Sequence, residues 1–226
     1  MKLQYLGHSA FLFTDSQQCN ILIDPFLNGN PLAPIKANQI RADYIILTHG
    51  HSDHLGDTLT IADKYNTIVI CVAELASQIS RNGLKTHPMQ VGGAHRFSFG
   101  KLKLVPAIHS SSTTNGNYAG LAAGVVFNVD NKTIYHCGDT GIFGDMQLIG
   151  EMDQIDILLI PIGGNYTMDI DDAVRAVNRI KPKLTIPMHY NTFDLIKANP
   201  VEFIDKLTAS GFTGKVMKPG EEMHLS

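Results

Sequence analysis

The chain lacks most of what would make it disulfide-stapled, membrane-spanning or nucleic-acid-coating. Cysteine is scarce: Cys19, Cys71 and Cys137 are an odd number with no C-x-x-C pair. That excludes a disulfide framework and a thiolate zinc knuckle, and leaves the three as core thiols. No segment comes near the roughly twenty continuous apolar residues a membrane helix requires. The opening Met1 to Leu6 run breaks at Gly7-His8, too short for a secretory signal, so the expectation is a cytoplasmic protein that touches no membrane. An excess of one charge is missing too: Lys plus Arg is 18 against Asp plus Glu at 21, giving a net charge of -3. With no basic run, nucleic acid is not an expected partner. Long Pro, Gly or Ser linkers and fixed-period repeats are also missing, so residues 1–226 read as one domain. At 44% hydrophobic and 17% charged, the chain has ample apolar material for a core.

Within that background, strand and helix patterns alternate. Short β-branched or aromatic runs at Lys2 to Leu6, Ala10 to Phe13, Cys19 to Ile23 and Tyr44 to Leu47 read as strands. Helical spacing of apolar residues follows at Asp57 to Tyr65 and Glu74 to Arg81, with Thr67 to Val72 as a buried strand between them. The middle is strand-rich again, at Phe97 to Val105, Gly124 to Val129 and Thr133 to Cys137, with Asp130-Asn131 as a hairpin turn. Then come a strand at Ile157 to Ile160, a helix from Asp169 to Ile180 capped by Asp169, a strand at Leu184 to Pro187, and a helix from Pro200 to Ser210. Two β-rich halves interleaved with helices predict an α/β protein, a four-layer α/β/β/α sandwich of two mixed sheets.

Histidine is what the chain has in concentration. His49, His51 and His54 fall within six residues, beside Asp53, on a turn between an apolar strand and a helix. Residues two apart on an extended backbone point the same way, so His49 and His51 can address one metal while Asp53 and His54 address a second. Imidazole and carboxylate donors suit zinc, manganese or iron. Further ligands are expected at strand ends, where sites of layered α/β proteins collect. His109, Asp139 and His189 qualify, with Gly138 and Gly141 flanking Asp139.

The H-x-H-x-D-H turn, a later lone His, Gly138-Asp139-Thr140 after a strand and Pro187-Met188-His189 together resemble the metallo-β-lactamase superfamily. Leu6-Gly7-His8-Ser9, Ile23 to Leu27, Pro161 to Gly164 with Thr167-Met168, and Pro187 to Phe193 are similar to its branch of small metal-dependent hydrolases. That branch is related to L-ascorbate-6-phosphate lactonase and, more distantly, to N-acylphosphatidylethanolamine phospholipase D. The resemblance runs from residue 3 to about residue 224 and implies the same four-layer fold. It implies that His49, His51 and His109 hold one metal, that Asp53, His54 and His189 hold the other, and that Asp139 bridges them. Asp24 matches an outer carboxylate that steadies the ligand turn. Asp169 after Thr-Met and Ser110 after His109 depart from the branch, where Gly is common, and both concern the substrate mouth.

The expected activity is hydrolysis of an ester, lactone, amide or phosphoester of a small molecule by a metal-bridging hydroxide, with two divalent ions, zinc first and manganese or iron next. Asp53 would orient the hydroxide, and His8 would contact substrate or protonate the leaving group. Asn165, Tyr166, Thr167, Tyr190 and Asn191 are candidates to line the pocket. Rival readings on the same residues are a non-haem iron oxidoreductase and a nuclease or phosphodiesterase. His87, His95, His136 and His224 read as structural, and Cys137, Met146, Met152, Met168 and Met188 as core. Apolar edges such as Phe26 and Leu27 suggest association into a homo-oligomer.

Overall fold

Strand segments of three to seven residues, most carrying apolar side chains on at least one face, assemble into two mixed sheets in the computed structural model, which describes residues 1–225. In chain order the first half contains β1 (Lys2–Tyr5), β2 (Phe11–Thr14), β3 (Asn20–Ile23), β4 (Tyr44–Ile46), α1 (Ser52–Leu55), α2 (Thr58–Tyr65), β5 (Ile68–Val72), α3 (Ala73–Ser80) and β6 (Thr86–Met89). The second half contains β7 (Ala94–Phe97), β8 (Gly100–Pro106), β9 (Ala123–Val129), β10 (Lys132–His136), α4 (Met146–Asp153), β11 (Ile157–Pro161), α5 (Ile170–Ile180), β12 (Leu184–Met188), α6 (Pro200–Ala209) and β13 (Glu222–His224).

One sheet runs β13-β1-β2-β3-β4-β5-β6 and the other β12-β11-β10-β9-β8-β7. In each, an antiparallel meander gives way to a parallel set: β3 through β6 in the first, β10 through β12 in the second. Parallel strands buried on both faces need near-continuous apolar runs, and Ile157 to Pro161 is buried at every position. The sheets pack through rings such as Phe13 and Phe127, whose centroids lie 5.1 Å apart edge to face. The predicted α/β/β/α sandwich is the observed architecture.

Parallel order sets the site. Because β10, β11 and β12 run side by side in one direction, the loops leaving them emerge at a common edge, as do those leaving β3 and β4 in the other sheet. Asp169 caps α5 as expected, its Oδ1 accepting from the Asp172 backbone N–H at 2.9 Å.

Several local expectations change. The predicted strand from Phe97 divides into the β7–β8 hairpin, because Ser98-Phe99 turns the chain and pairs Phe97 with Gly100. Helix α4 has no clear sequence signal, since Gly150 sits in its interior and glycine is a weak helix former. Here glycine is required by space: a Cβ at 150 would collide with the Ile180 carbonyl oxygen of α5. Edge strands β6 and β13 are short and polar and carry little pattern. Met152 is 63% exposed, on the outward side of α4, and is not core, whereas Met146, Met168 and Met188 are buried. Cys71 and Cys137 are buried thiols, but Cys19 is only half-buried, just before β3.

Candidate metal centre

The ligand turn follows directly from β4. After Leu47 the chain leaves the sheet, and Thr48, His49 and His51 extend before α1 starts, with Asp53 and His54 in its first turn. Asp24, at the end of neighbouring β3, fixes this turn from below. Its Oδ1 accepts from the Thr48 backbone N–H at 2.9 Å, and its Oδ2 accepts from Thr48 Oγ1 at 2.6 Å and His54 Nδ1 at 2.7 Å. Asp24 is fully buried, and His54 opposes the effect of burial, holding its carboxyl below the usual range.

These bonds select tautomers. The single Thr48 hydroxyl hydrogen goes to Asp24, so the 3.0 Å contact between His49 Nδ1 and Thr48 Oγ1 requires the histidine to donate. His54 likewise donates from Nδ1 to Asp24. In their neutral forms both imidazoles therefore carry the hydrogen on Nδ1 and leave the lone pair on Nε2, which lies 3.0 Å from His51 Nδ1 in His49 and 3.2 Å from Asp139 Oδ1 in His54.

The remaining predicted residues arrive from distant strand ends. His109 follows β8 by three residues, Asp139 follows β10 and His189 follows β12. Asp139 lies in their midst: Oδ1 is 3.2 Å from His54 Nε2, and Oδ2 is 3.0 Å from His189 Nε2 and 3.6 Å from His109 Nε2. Donor atoms of His49, His51 and His109 converge within 4.8 Å of one another. So do those of His8, Asp53, His54 and His189, and those of His49, His54 and Asp139. All seven expected ligand side chains thus sit at one place, and His8 joins them.

Gly138 makes the approach of Asp139 feasible. Its φ is +63°, and a Cβ there would lie 2.7 Å from the Ala123 carbonyl oxygen. Gly141 meets no such constraint, since a Cβ would find open space. The buried neighbour His136 is structural, as expected: the Gly138 N–H donates to its Nδ1 at 3.1 Å, and its Nε2 donates to the Ser9 carbonyl at 3.0 Å.

Electrostatics separate the histidines. Burial pushes His49 well below the ordinary imidazole value. Burial acts the same way on His54, but Asp139 and Asp24 overcome it and hold this side chain well above. Burial would raise Asp139 and Asp53, yet both lie below the usual carboxylate range, Asp139 through His189 and His54, and Asp53 through His8 and His54. Positive charge is therefore favoured where these carboxylates meet.

The donor set fits divalent cations on an observation of the side chains themselves. His54 Nε2, His189 Nε2 and Asp139 Oδ1 are buried without a hydrogen-bond partner, although His54 Nε2 lies 3.2 Å from Asp139 Oδ1 and His189 Nε2 lies 3.0 Å from Asp139 Oδ2. Their lone pairs aim past one another toward common points, which is costly unless a cation collects them.

A cavity of about 750 Å³ opens above these groups. Among the candidates for its lining, Tyr166 takes part, while Asn165, Thr167, Tyr190 and Asn191 do not. Asn191 instead accepts from the Ala198 backbone N–H, closing a turn. Phe26, Phe193 and Leu195 line the cavity without having been singled out for it, since single aromatic or aliphatic residues on loops carry no periodic signal. Thr48 and Thr192 escape sequence reasoning for a similar reason: a hydroxyl beside a histidine gains meaning only from its partner.

Comparison with known proteins agrees with this geometry. The beta-lactamase superfamily domain matches residues 19–190. A UPF0173 metal-dependent hydrolase of Carboxydothermus hydrogenoformans is 51% identical over 227 residues, covering 100% of both chains. One from Bacillus cereus is 46% identical over 230 residues, again covering 100% of both. Igni18, a metallo hydrolase from the archaeon Ignicoccus hospitalis, has a solved structure that superposes with a TM-score of 0.90 at 35% identity, covering 100% of this chain and 99% of its own. With the fold, the sequence motifs and these matches in agreement, the chain belongs to the beta-lactamase superfamily, in its metal-dependent hydrolase branch.

Proposed function

We propose that the chain is a dinuclear metal-dependent hydrolase that opens an ester, lactone, amide or phosphoester bond of a small molecule. The observation that carries this reading is the position of Asp139 among His54, His109 and His189, with one oxygen toward the α1 side and the other toward two strand ends. His49, His51 and His109 would hold one cation, Asp53, His54 and His189 the other, and Asp139 both. Bound there, the cations supply Lewis acidity that lowers the pKa of water and draws charge from the bond being cut. The nitrogen and oxygen donors suit zinc first, then manganese or iron. Asp24 and Thr48 keep His49 and His54 in the tautomers that donate to a cation. Asp53, 23% exposed in its side chain, faces the cavity and can accept a hydrogen bond from water there. With a net charge of -3 and, among the described residues, no helix long and apolar enough to cross a membrane, the reading takes neither nucleic acid nor membrane as partner.

Elemental analysis of protein purified without added metal tests this. About two divalent cations per chain are expected. A chelator should abolish hydrolysis and lower the Tm, because a ligand bound only by the folded state stabilises it. Less than one cation per chain would remove the dinuclear reading, and stoichiometric iron with visible colour would favour the redox alternative.

His8 acts in this reading as a positioning residue. It is wholly buried, with Nε2 3.2 Å from Asp53 Oδ2 and Nδ1 2.9 Å from Thr192 Oγ1, so neither nitrogen is left for a leaving group. Its φ is +57°, and its carbonyl accepts from the His189 backbone N–H at 2.9 Å, tying the β1–β2 turn to the end of β12. Asparagine tolerates that backbone conformation but does not reach Asp53. His8→Asn is expected to lower kcat about 10- to 100-fold with KM little changed; an unaltered kcat would show that Asp53 needs no such support.

A further inference from the structure

The cavity has two chemically distinct parts. The candidate metal ligands His51, Asp53, His109, Asp139 and His189 form one, and Phe26, Tyr166, Phe193 and Leu195 supply the apolar surface of the other. Among the described residues no lysine or arginine lines it. The one charged lining residue outside the candidate ligands is Asp194, a carboxylate already paired with Lys197 at 2.8 Å out in solvent. An anionic group carried into this part would meet no counter-charge, which is costly.

The apolar wall is held in place. The Phe26 and Phe193 rings lie 6.1 Å apart, and both set an edge or face against His8, at 5.7 and 5.4 Å. His8 is itself fixed by Asp53 and Thr192 and packs on His189 with centroids 4.1 Å apart. The two phenyl rings therefore stand at a defined offset from the ligand cluster through one intervening imidazole, as a specificity wall requires.

We propose that Phe26 and Phe193 determine specificity, and that the substrate carries an uncharged apolar group, an alkyl chain or phenyl ring, on the acyl side of the reacting bond. Sugar phosphates and molecules with a second carboxylate are thereby excluded. The proposal rests on the hydrolase reading for the position of the reacting bond, but not for the chemistry of the wall.

The test uses metal-loaded enzyme and 4-nitrophenyl esters that share one leaving group: acetate, butyrate, hexanoate and the acid-terminated succinate. A fully buried methylene contributes about fourfold. The expected kcat/KM therefore rises at least about tenfold from acetate to hexanoate, and the succinate ester falls at least about tenfold below butyrate. Phe26→Ala and Phe193→Ala should flatten the chain-length dependence to less than about threefold, with metal content preserved as the check on folding. A flat series in the unaltered enzyme, or succinate cleaved as fast as butyrate, overturns the proposal. Calorimetric binding of butanamide, hexanamide and octanamide separates the two readings. If no ester is cleaved but Kd still falls with chain length and Phe193→Ala removes the trend, the wall stands while ester hydrolysis as the activity fails. If the amides bind without a trend, the wall fails whatever the turnover.

Discussion

Asp139→Ala is expected to lose at least one cation per chain and to lower kcat by on the order of a thousandfold, while far-ultraviolet circular dichroism stays native. The carboxylate is 3% exposed and reaches three histidines from three different elements. Deleting it removes a side chain whose two oxygens reach both halves of the cluster. Protein packing does not depend on it to the same degree, because His54 keeps its bond to Asp24 and His109 is partly open to the cavity. Asp139→Asn is the informative companion: it keeps the shape but halves the acceptor capacity and loses the charge. Elemental analysis decides the matter, and two cations retained in Asp139→Ala would overturn the bridging role.

Asp24→Asn is expected to weaken metal affinity about 10- to 100-fold without touching a cation. An amide in that position can accept from Thr48 through its oxygen, but its NH2 group would then face His54 Nδ1. His54 would have to accept there and carry its hydrogen on Nε2, where the lone pair is needed. The tautomer is reversed while the geometry is preserved. Asp24→Ala goes further, leaving a wholly buried histidine without its partner, and is expected to cost about 3–5 kcal/mol of stability. Metal titration of Asp24→Asn and denaturant unfolding of Asp24→Ala read the two effects separately. Undiminished metal affinity in Asp24→Asn would mean that metal binding does not depend on the His54 tautomer that Asp24 selects.

Legibility followed the range of the interactions involved. The strands from Ile68 and Ile157 and the helix capped by Asp169 announced themselves, because burial on both faces and a side-chain cap are written in consecutive residues. Helix α4 did not, since the glycine that weakens its pattern exists to let α5 approach, a cause lying some thirty residues away. Met152 illustrates the same limit: a methionine's type does not say which side of a helix it occupies.

The ligand turn from His49 to His54 was determined by the sequence alone, because its spacing and its place between an apolar strand and a helix are local properties of one short stretch. Tertiary structure decided that His109, Asp139 and His189 meet that turn, that His8 supports Asp53, and that two phenyl rings wall the cavity. Those meetings depend on which strands neighbour which in the two sheets, and on the parallel direction that brings their exits to one edge. Sheet order comes from hydrophobic pairing across the whole chain, and no window of consecutive residues contains it.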